Sequence, residues 1–300
     1  MVIVMPSGSP AITEATIEAN GLTFATLTMG DGPLALCLHG FPDSAWTWRH
    51  LLPKLAAAGY RAVAPFLRGY APTSIPADGM YQIGAHASDV LALHEALGGG
   101  PDAVLIGHDV GALAAYPAAV AAPERWSKVV TLAIPPPARM VANFFQYDQM
   151  KRSWYIFMFQ TPLAELAVPA DDFAFIDRIW ADWSPGFDGS EWTARARAAL
   201  GGPANLSAGL AMYRAMAGSG LRSPAFDSLE AAGTQPLTQP VLYLHGTTDG
   251  CFRVDEMDAT VTDAMPNPAS RAELIDGVGH FLHLEQPASV NARIIEFLTA

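Results

Sequence analysis

The sequence predicts an α/β protein: a mostly parallel, doubly wound sheet interrupted by an inserted helical cap. Three observations carry this. Short unbroken apolar runs recur at 34–38, 62–64, 103–106, 129–134 and 241–244, too short for helices and not alternating, as strands covered on both faces are. Between them lie stretches of helical period, the alternation of a doubly wound sheet. From 135 to 240 the alternation stops, and Trp, Phe, Tyr and Met crowd at helical spacing.

Taken in order, residues 16–19 and 22–28 straddle Asn20-Gly21, a two-residue turn signal that makes them a hairpin. Asp31-Gly32-Pro33 turns the chain into the run 34–38. Residues 46–58 then form a helix stopped by Gly59, a natural C-terminal cap. After the run 62–64, Ile83, Ala87, Val90, Leu91 and Leu97 make an apolar helical stripe that ends at the glycines 98–100. After 103–106, residues 111–121 are alanine-rich and helical, with a kink expected at Pro117. Three prolines at 135–137 close the run 129–134. The aromatic stretch that follows is densest at Phe144-Phe145, 154–159 and 173–183; a cap of this kind roofs an apolar pocket. Strand and helix resume at Val241, and 271–275 adds a last strand. The expected domains are a core made of 1–134 and 241–300 around a cap of 135–240.

Composition narrows the function classes. With 51% hydrophobic and 15% charged residues over 300 positions, the chain is not disordered. Lys+Arg 17 against Asp+Glu 29 leaves a net charge of −12. Such a surface repels phosphate backbones and anionic membranes, so neither nucleic acid nor membrane is an expected partner. Cys37 and Cys251 make neither a disulfide framework nor a thiolate metal cage and read as buried free thiols in a reducing compartment. No apolar run reaches the ~18 to 20 residues of a membrane span, and the opening 1–10 has no basic n-region, unlike a signal peptide. The expectation is a cytoplasmic protein with no cofactor and no metal. No cluster has metal-ligand spacing, and no dinucleotide or P-loop glycine pattern occurs. Whether the chain forms a homo-oligomer is left open.

The most specific local feature is Gly107-His108-Asp109-Val110-Gly111, after one strand run and before a helix. This is the spacing of a nucleophile elbow, in which small flanking residues let a sharp turn lift the central side chain. Alone, the same pentapeptide reads more readily as an ordinary glycine-rich strand-to-helix turn. Its context separates the two readings. Gly246-Thr247-Thr248-Asp249 and Gly277-Val278-Gly279-His280 each follow a strand run, which puts an acid and a histidine on the rim where α/β folds hold ligands, in the order nucleophile, acid, histidine. Upstream, His39-Gly40-Phe41-Pro42 follows another strand and can supply a second backbone N–H.

On these motifs the chain resembles an α/β-hydrolase over essentially its whole length, in the branch that holds epoxide hydrolases and haloalkane dehalogenases. The resemblance implies an α/β-hydrolase fold with Asp109 as nucleophile, His280 as base and Asp249 as the acid that orients it. It also implies an oxyanion hole from the N–H groups of Phe41 and Val110. Chemistry agrees with a carboxylate in this place. Attack on an ester would give a reactive anhydride, whereas attack on an sp³ carbon opens an epoxide or expels a halide and leaves a stable alkyl ester.

The leaving group separates the two activities. An alkoxide needs a proton donor; a halide needs N–H donors. The dehalogenases of this branch typically carry Trp after the nucleophile and Asn in the third position of the upstream motif, where this chain has Val110 and Phe41. The Arg residues of fluoroacetate dehalogenases have no counterpart in 110–113. Epoxide hydrolases of this fold use two cap tyrosines as acids. Tyr155, followed by Phe159, Gln160 and Pro162, resembles the segment bearing the first, and Tyr213-Arg214 resembles the second. The expectation is therefore hydrolysis of a small apolar epoxide by water to a vicinal diol. A haloalkane or haloacid dehalogenase with the same Asp109, and a non-catalytic small-ligand receptor on the same fold, are the alternatives. Among the remaining candidates, His39 and His108 read as backbone braces, and His50, His86 and His94 as structural or solvated. His245 follows a strand without a matching role, His283 is the one rival base, and Asp43 and Asp148 are reserve acids.

Overall fold

Asn20 and Gly21 adopt φ of 49° and 72°, the two left-handed conformations that a hairpin turn of this length requires. They fold β1 (Thr13–Ala19) back on β2 (Leu22–Met29). The structure is a computed structural model and describes residues 11–254 and 257–300; the opening 1–10, on which the signal-peptide reading rests, lies outside the described residues. The other strands are β3 (Leu34–Leu38), β4 (Arg61–Pro65), β5 (Val104–His108), β6 (Lys128–Leu132), β7 (Val241–Gly246) and β8 (Arg271–Ile275). They join in one 8-stranded sheet of order β1-β2-β4-β3-β5-β6-β7-β8. Pairing is antiparallel from β1 to β4 and parallel from β4 through β3 to β8. The central strands β3, β5 and β7 are buried at every position, which is why their sequences are apolar without alternation.

Helices connect and cover the strands. They are α1 (Leu52–Ala57), α2 (Ile83–Ala96) and α3 (Val110–Ala121) before β6. Between β6 and β7 the chain makes only helices: α4 (Pro137–Phe144), α5 (Tyr147–Arg152), α6 (Trp154–Phe159), α7 (Ala164–Ala167), α8 (Ala170–Trp183), α9 (Ser190–Leu200), α10 (Pro203–Ala217) and α11 (Asp227–Ala232). After β7 come α12 (Ala259–Thr262), α13 (Leu282–Glu285) and α14 (Pro287–Thr299). Among the described residues no helix is long and apolar enough to cross a membrane.

Several boundaries differ from the sequence expectation. The helix expected over 46–58 is a 3-10 turn (Ala45–Trp48) and then α1, with Pro53 in its first turn. Proline has no N–H to give the preceding turn and is best tolerated at such a start. Helix α3 begins one residue earlier than expected, at Val110, and includes Pro117. Strand β6 stops at Leu132 because Ala133 turns to a φ of 64°. Strand β5 runs on through Gly107 and His108, so that the break in the backbone falls at Asp109 itself.

One buried ion pair fixes the loop behind the site. The guanidinium of Arg68, which lies just after β4, meets Asp89 of α2 through two contacts of 2.6 Å, with side chains 2% and 6% exposed. Asn20 from the hairpin turn donates to the same carboxylate at 2.7 Å. The loop in turn gives the Leu67 N–H to His39 Nε2 at 3.0 Å. Asp89→Ala should strand the guanidinium in the interior and cost about 3–5 kcal/mol, read as a lower urea midpoint at unchanged slope. A loss below about 1 kcal/mol would rank the pair with weak surface bridges.

Candidate active site

Because β3, β5, β7 and β8 run parallel in one sheet, their C-terminal ends open onto one edge of it. The loops after them carry Phe41, Asp109, Asp249 and His280. Asp109 sits at φ 52° and ψ −119°, a conformation that an L residue holds only when its surroundings enforce it. Close packing does so here. A Cβ on Gly111 would lie 2.2 Å from the Leu38 carbonyl oxygen, and one on Gly40 would lie 2.4 Å from Asp109 Oδ1. The glycines let the three backbones approach closely enough to hold the turn.

The geometry links all four loops. The Phe41 N–H donates to Asp109 Oδ1 at 2.8 Å. His280 Nε2 lies 3.4 Å from Asp109 Oδ2, and His280 Nδ1 lies 2.9 Å from Asp249 Oδ2. Asp249 Oδ1 accepts the N–H groups of Cys251 and Phe252 at 2.7 and 3.0 Å. Since carboxylates only accept, His280 Nδ1 carries the proton it gives to Asp249. Val110 opens α3, and its N–H is one of the first-turn donors that no helix carbonyl can take; it makes no hydrogen bond to Asp109 among the described residues.

Electrostatics follow from burial and pairing. Burial alone would raise the Asp109 pKa, but the hydrogen bond and charge of His280 hold it below the usual carboxylate range. Asp249 is lowered in the same way, with burial outweighed by the charge of His280 and its hydrogen bond. For His280 burial lowers the pKa, and the Asp249 charge with the Asp109 hydrogen bond carries it up to about 10.

Opposite Asp109 is an apolar cavity of about 400 Å³ that it shares with Tyr155, Tyr213, Leu113, Phe144 and Met216. Tyr155 comes from α6 and Tyr213 from α10, their rings edge to face at a centroid distance of 5.6 Å. Gln160 holds the two helices together by donating to the Tyr213 carbonyl at 3.1 Å, and Arg214 does so by donating to the Phe159 carbonyl at 2.8 Å. Burial pushes both phenols well above their ordinary pKa, with Cys251 and Asp109 adding to Tyr155, and Tyr155 and Asp109 adding to Tyr213. Trp180 of α8 donates to the Pro42 carbonyl at 2.8 Å, so the helical segment also grips the loop that carries Phe41.

The other sequence candidates sort by their contacts. His108 meets the His280 carbonyl and His39 the Leu67 N–H, both at 3.0 Å, as braces. His283 is bound to Thr47 at 2.6 Å and stacked on Trp48. Asp148 is exposed on α5. Asp43 is buried beside the site, and burial raises its pKa to about 7 despite the Thr47 and Ser44 hydrogen bonds that lower it. Asp43, His108 and His283 each offer a ligand atom within 4.8 Å of the others', and Asp43 Oδ2 and the Nδ1 atoms of the two rings have no hydrogen-bond partner among the described residues. No sequence spacing announces that group, because the three residues come from separate elements: the loop after β3, the end of β5 and α13. His245 is corrected: it lies inside β7 rather than after it, with Nε2 3.4 Å from Asp249 Oδ2. Cys251 went unnoticed as a site residue, and its Sγ lies 3.6 Å from the Tyr155 hydroxyl. Its one sequence signal was a place two residues past Asp249.

Comparison with known proteins gives the family. The family described as alpha/beta hydrolase fold matches residues 33–287. An epoxide hydrolase of Caballeronia sordidicola is 30% identical, covering 96% of this chain and 94% of that protein. Epoxide hydrolase A of Mycobacterium tuberculosis is 28% identical over 97% of this chain and 98% of its own. Among solved structures, epoxide hydrolase A of Mycobacterium thermoresistibile superposes with a TM-score of 0.76 at 26% identity, covering 96% of this chain and 98% of that one. Fold and similarity agree: the chain belongs to the α/β-hydrolase fold family, in its epoxide hydrolase branch.

Proposed function

We propose that the protein opens an apolar epoxide to a vicinal diol through an alkyl ester on Asp109. The observation that carries this reading is a carboxylate, not a hydroxyl, at the elbow, facing two buried phenols across an apolar cavity. Asp109 Oδ1 is held by the Phe41 N–H, which leaves Oδ2 to attack a ring carbon. The carbon–oxygen bond of the epoxide breaks as Tyr155 or Tyr213 hydrogen-bonds to the developing alkoxide and protonates it. Helices between β6 and β7 act as the cap, 135–240, over a core of 1–134 and 241–300.

Ester formation also prepares the second step. The free enzyme holds His280 protonated between two carboxylates. Once Asp109 is esterified, one of those charges is gone, the His280 pKa falls toward the range of a general base, and the proton it releases returns, by way of solvent, to the phenolate left by epoxide opening. His280, oriented by Asp249, then takes a proton from water as the water attacks the ester carbonyl. The oxyanion forms on Oδ1, where Phe41 and Val110 supply N–H groups, each typically worth about 3 kcal/mol. Halide displacement would call for N–H donors from side chains, and Phe41 and Val110 bring none. The two cysteines, buried and unpaired, fit a reducing compartment such as the cytoplasm.

Oxygen labelling tests the ester. In a single turnover in heavy-oxygen water with enzyme in excess, the oxygen delivered to the diol is that of Asp109. The diol should be essentially free of label, and the label should be found in the peptide containing Asp109. Fully labelled diol in that first turnover means direct attack by water and ends the nucleophile assignment.

A further inference from the structure

The turn that carries Asp109's distant partner Asp249 is held from both sides. From the helical segment, Gln149 takes the Arg253 N–H and donates to the Cys251 carbonyl, at 3.0 and 2.9 Å, and Arg152 donates to the Asp249 carbonyl. From the sheet, one side chain does the work: His245 Nε2 meets the Phe252 carbonyl at 2.8 Å and lies 3.4 Å from Asp249 Oδ2. The tautomer of this ring is determined. A carbonyl only accepts, so Nε2 carries the proton. Tyr243, two residues earlier on the same face of β7, meets Nδ1 at 2.7 Å. A neutral ring then has its lone pair at Nδ1, and the Tyr243 hydroxyl donates to it. The ring is fully buried, and burial lowers its pKa despite the Asp249 charge and the Phe252 hydrogen bond. Asp249 Oδ1 is already taken by two N–H groups, so Oδ2 is the oxygen that both rings, His280 and His245, address.

We propose that His245, its tautomer set by Tyr243, is a positioning residue that fixes Asp249 and through it His280 for ester hydrolysis. The proposal rests on the two-step reading given above. It is specific to the second step, because Asp109 is held for attack by Phe41 and faces the tyrosines, none of which His245 touches. Loosening Asp249 leaves ester formation alone and misaligns the base.

Single turnovers with styrene oxide as probe, followed by intact mass spectrometry, test this. His245→Ala should slow ester hydrolysis about 10- to 100-fold, leave ester formation within about 3-fold, and accumulate enzyme heavier by one substrate. His245→Gln, which keeps an N–H for the Phe252 carbonyl, should restore most of the hydrolysis rate. Should His245→Ala fail to fold, Tyr243→Phe carries the test, with a smaller slowing of the same step. A substrate-free readout runs beside it: the downfield proton resonance of the His280 Nδ1–H, assigned by its loss in His280→Ala, should shift or broaden in each variant that slows hydrolysis. Equal slowing of both steps, no slowing at all, or failure of Gln to rescue Ala overturns the proposal. If His280→Ala itself accumulates no ester, the two-step reading falls, and an Nδ1–H resonance unmoved in His245→Ala and Tyr243→Phe overturns the positioning role independently.

Discussion

Replacing His280 with Ala is expected to trap the enzyme as its Asp109 ester. On the proposed mechanism the first step needs the carboxylate and the phenols and the second needs a base, whose removal typically costs about 10²- to 10⁴-fold. Intact mass spectrometry after mixing with an epoxide should therefore show nearly all the protein heavier by one substrate, with diol release limited to the residual rate. His283→Ala is the control. His283 is buried, bound to Thr47 and stacked on Trp48, so its loss should lower stability while turnover stays close to the parent's. Accumulation of adduct in His283→Ala instead would transfer the role of base to that ring.

The tyrosine pair should show the second large effect, and in the opposite step. On the proposed mechanism each phenol contributes a hydrogen bond to a developing alkoxide in an apolar cavity, a contact worth about 2 to 4 kcal/mol, or roughly 30- to 1000-fold in rate. Tyr155→Phe and Tyr213→Phe should each be slowed by that order yet remain active, since either hydroxyl can serve the same oxygen. With both replaced, ester formation should be close to absent. Because the slowed step precedes the ester, neither single variant should accumulate adduct, which separates them from His280→Ala in one measurement. Parent-like epoxide opening by the double variant would make the two rings packing residues, and halide release by the parent enzyme would then favour the dehalogenase reading.

Much of the fold was legible because burial writes itself into composition. Strands β3, β5 and β7 are covered on both faces and carry unbroken apolar runs, and Asn20-Gly21 announced its own turn through the left-handed conformations it adopts. Helix starts were less legible. The break before α1 arises where Pro53 enters a first turn, and a stripe of apolar residues reads the same across such a break. The failure to see β6 end at Leu132 has the same character: Ala133 adopts a positive φ without any glycine to signal it.

The sequence by itself determined which residue types meet at the rim. The elbow spacing around Asp109 and the loops of Asp249 and His280 are local patterns, each a few residues long and each following a strand, and a parallel sheet brings all such strand ends to one edge. Tertiary structure alone decided how those groups are held. That Phe41 gives its N–H to Oδ1 while His280 lies against Oδ2, that Tyr155 and Tyr213 share one cavity with Asp109, and that His245 stands behind Asp249 are relations between residues far apart in the chain. No periodicity encodes them. They come from packing, which brings the Asp109 side chain to within a Cβ of Gly40 and the backbone at the end of β3 to within a Cβ of Gly111, and from burial, which leaves each polar atom in the interior only the partners that the fold delivers.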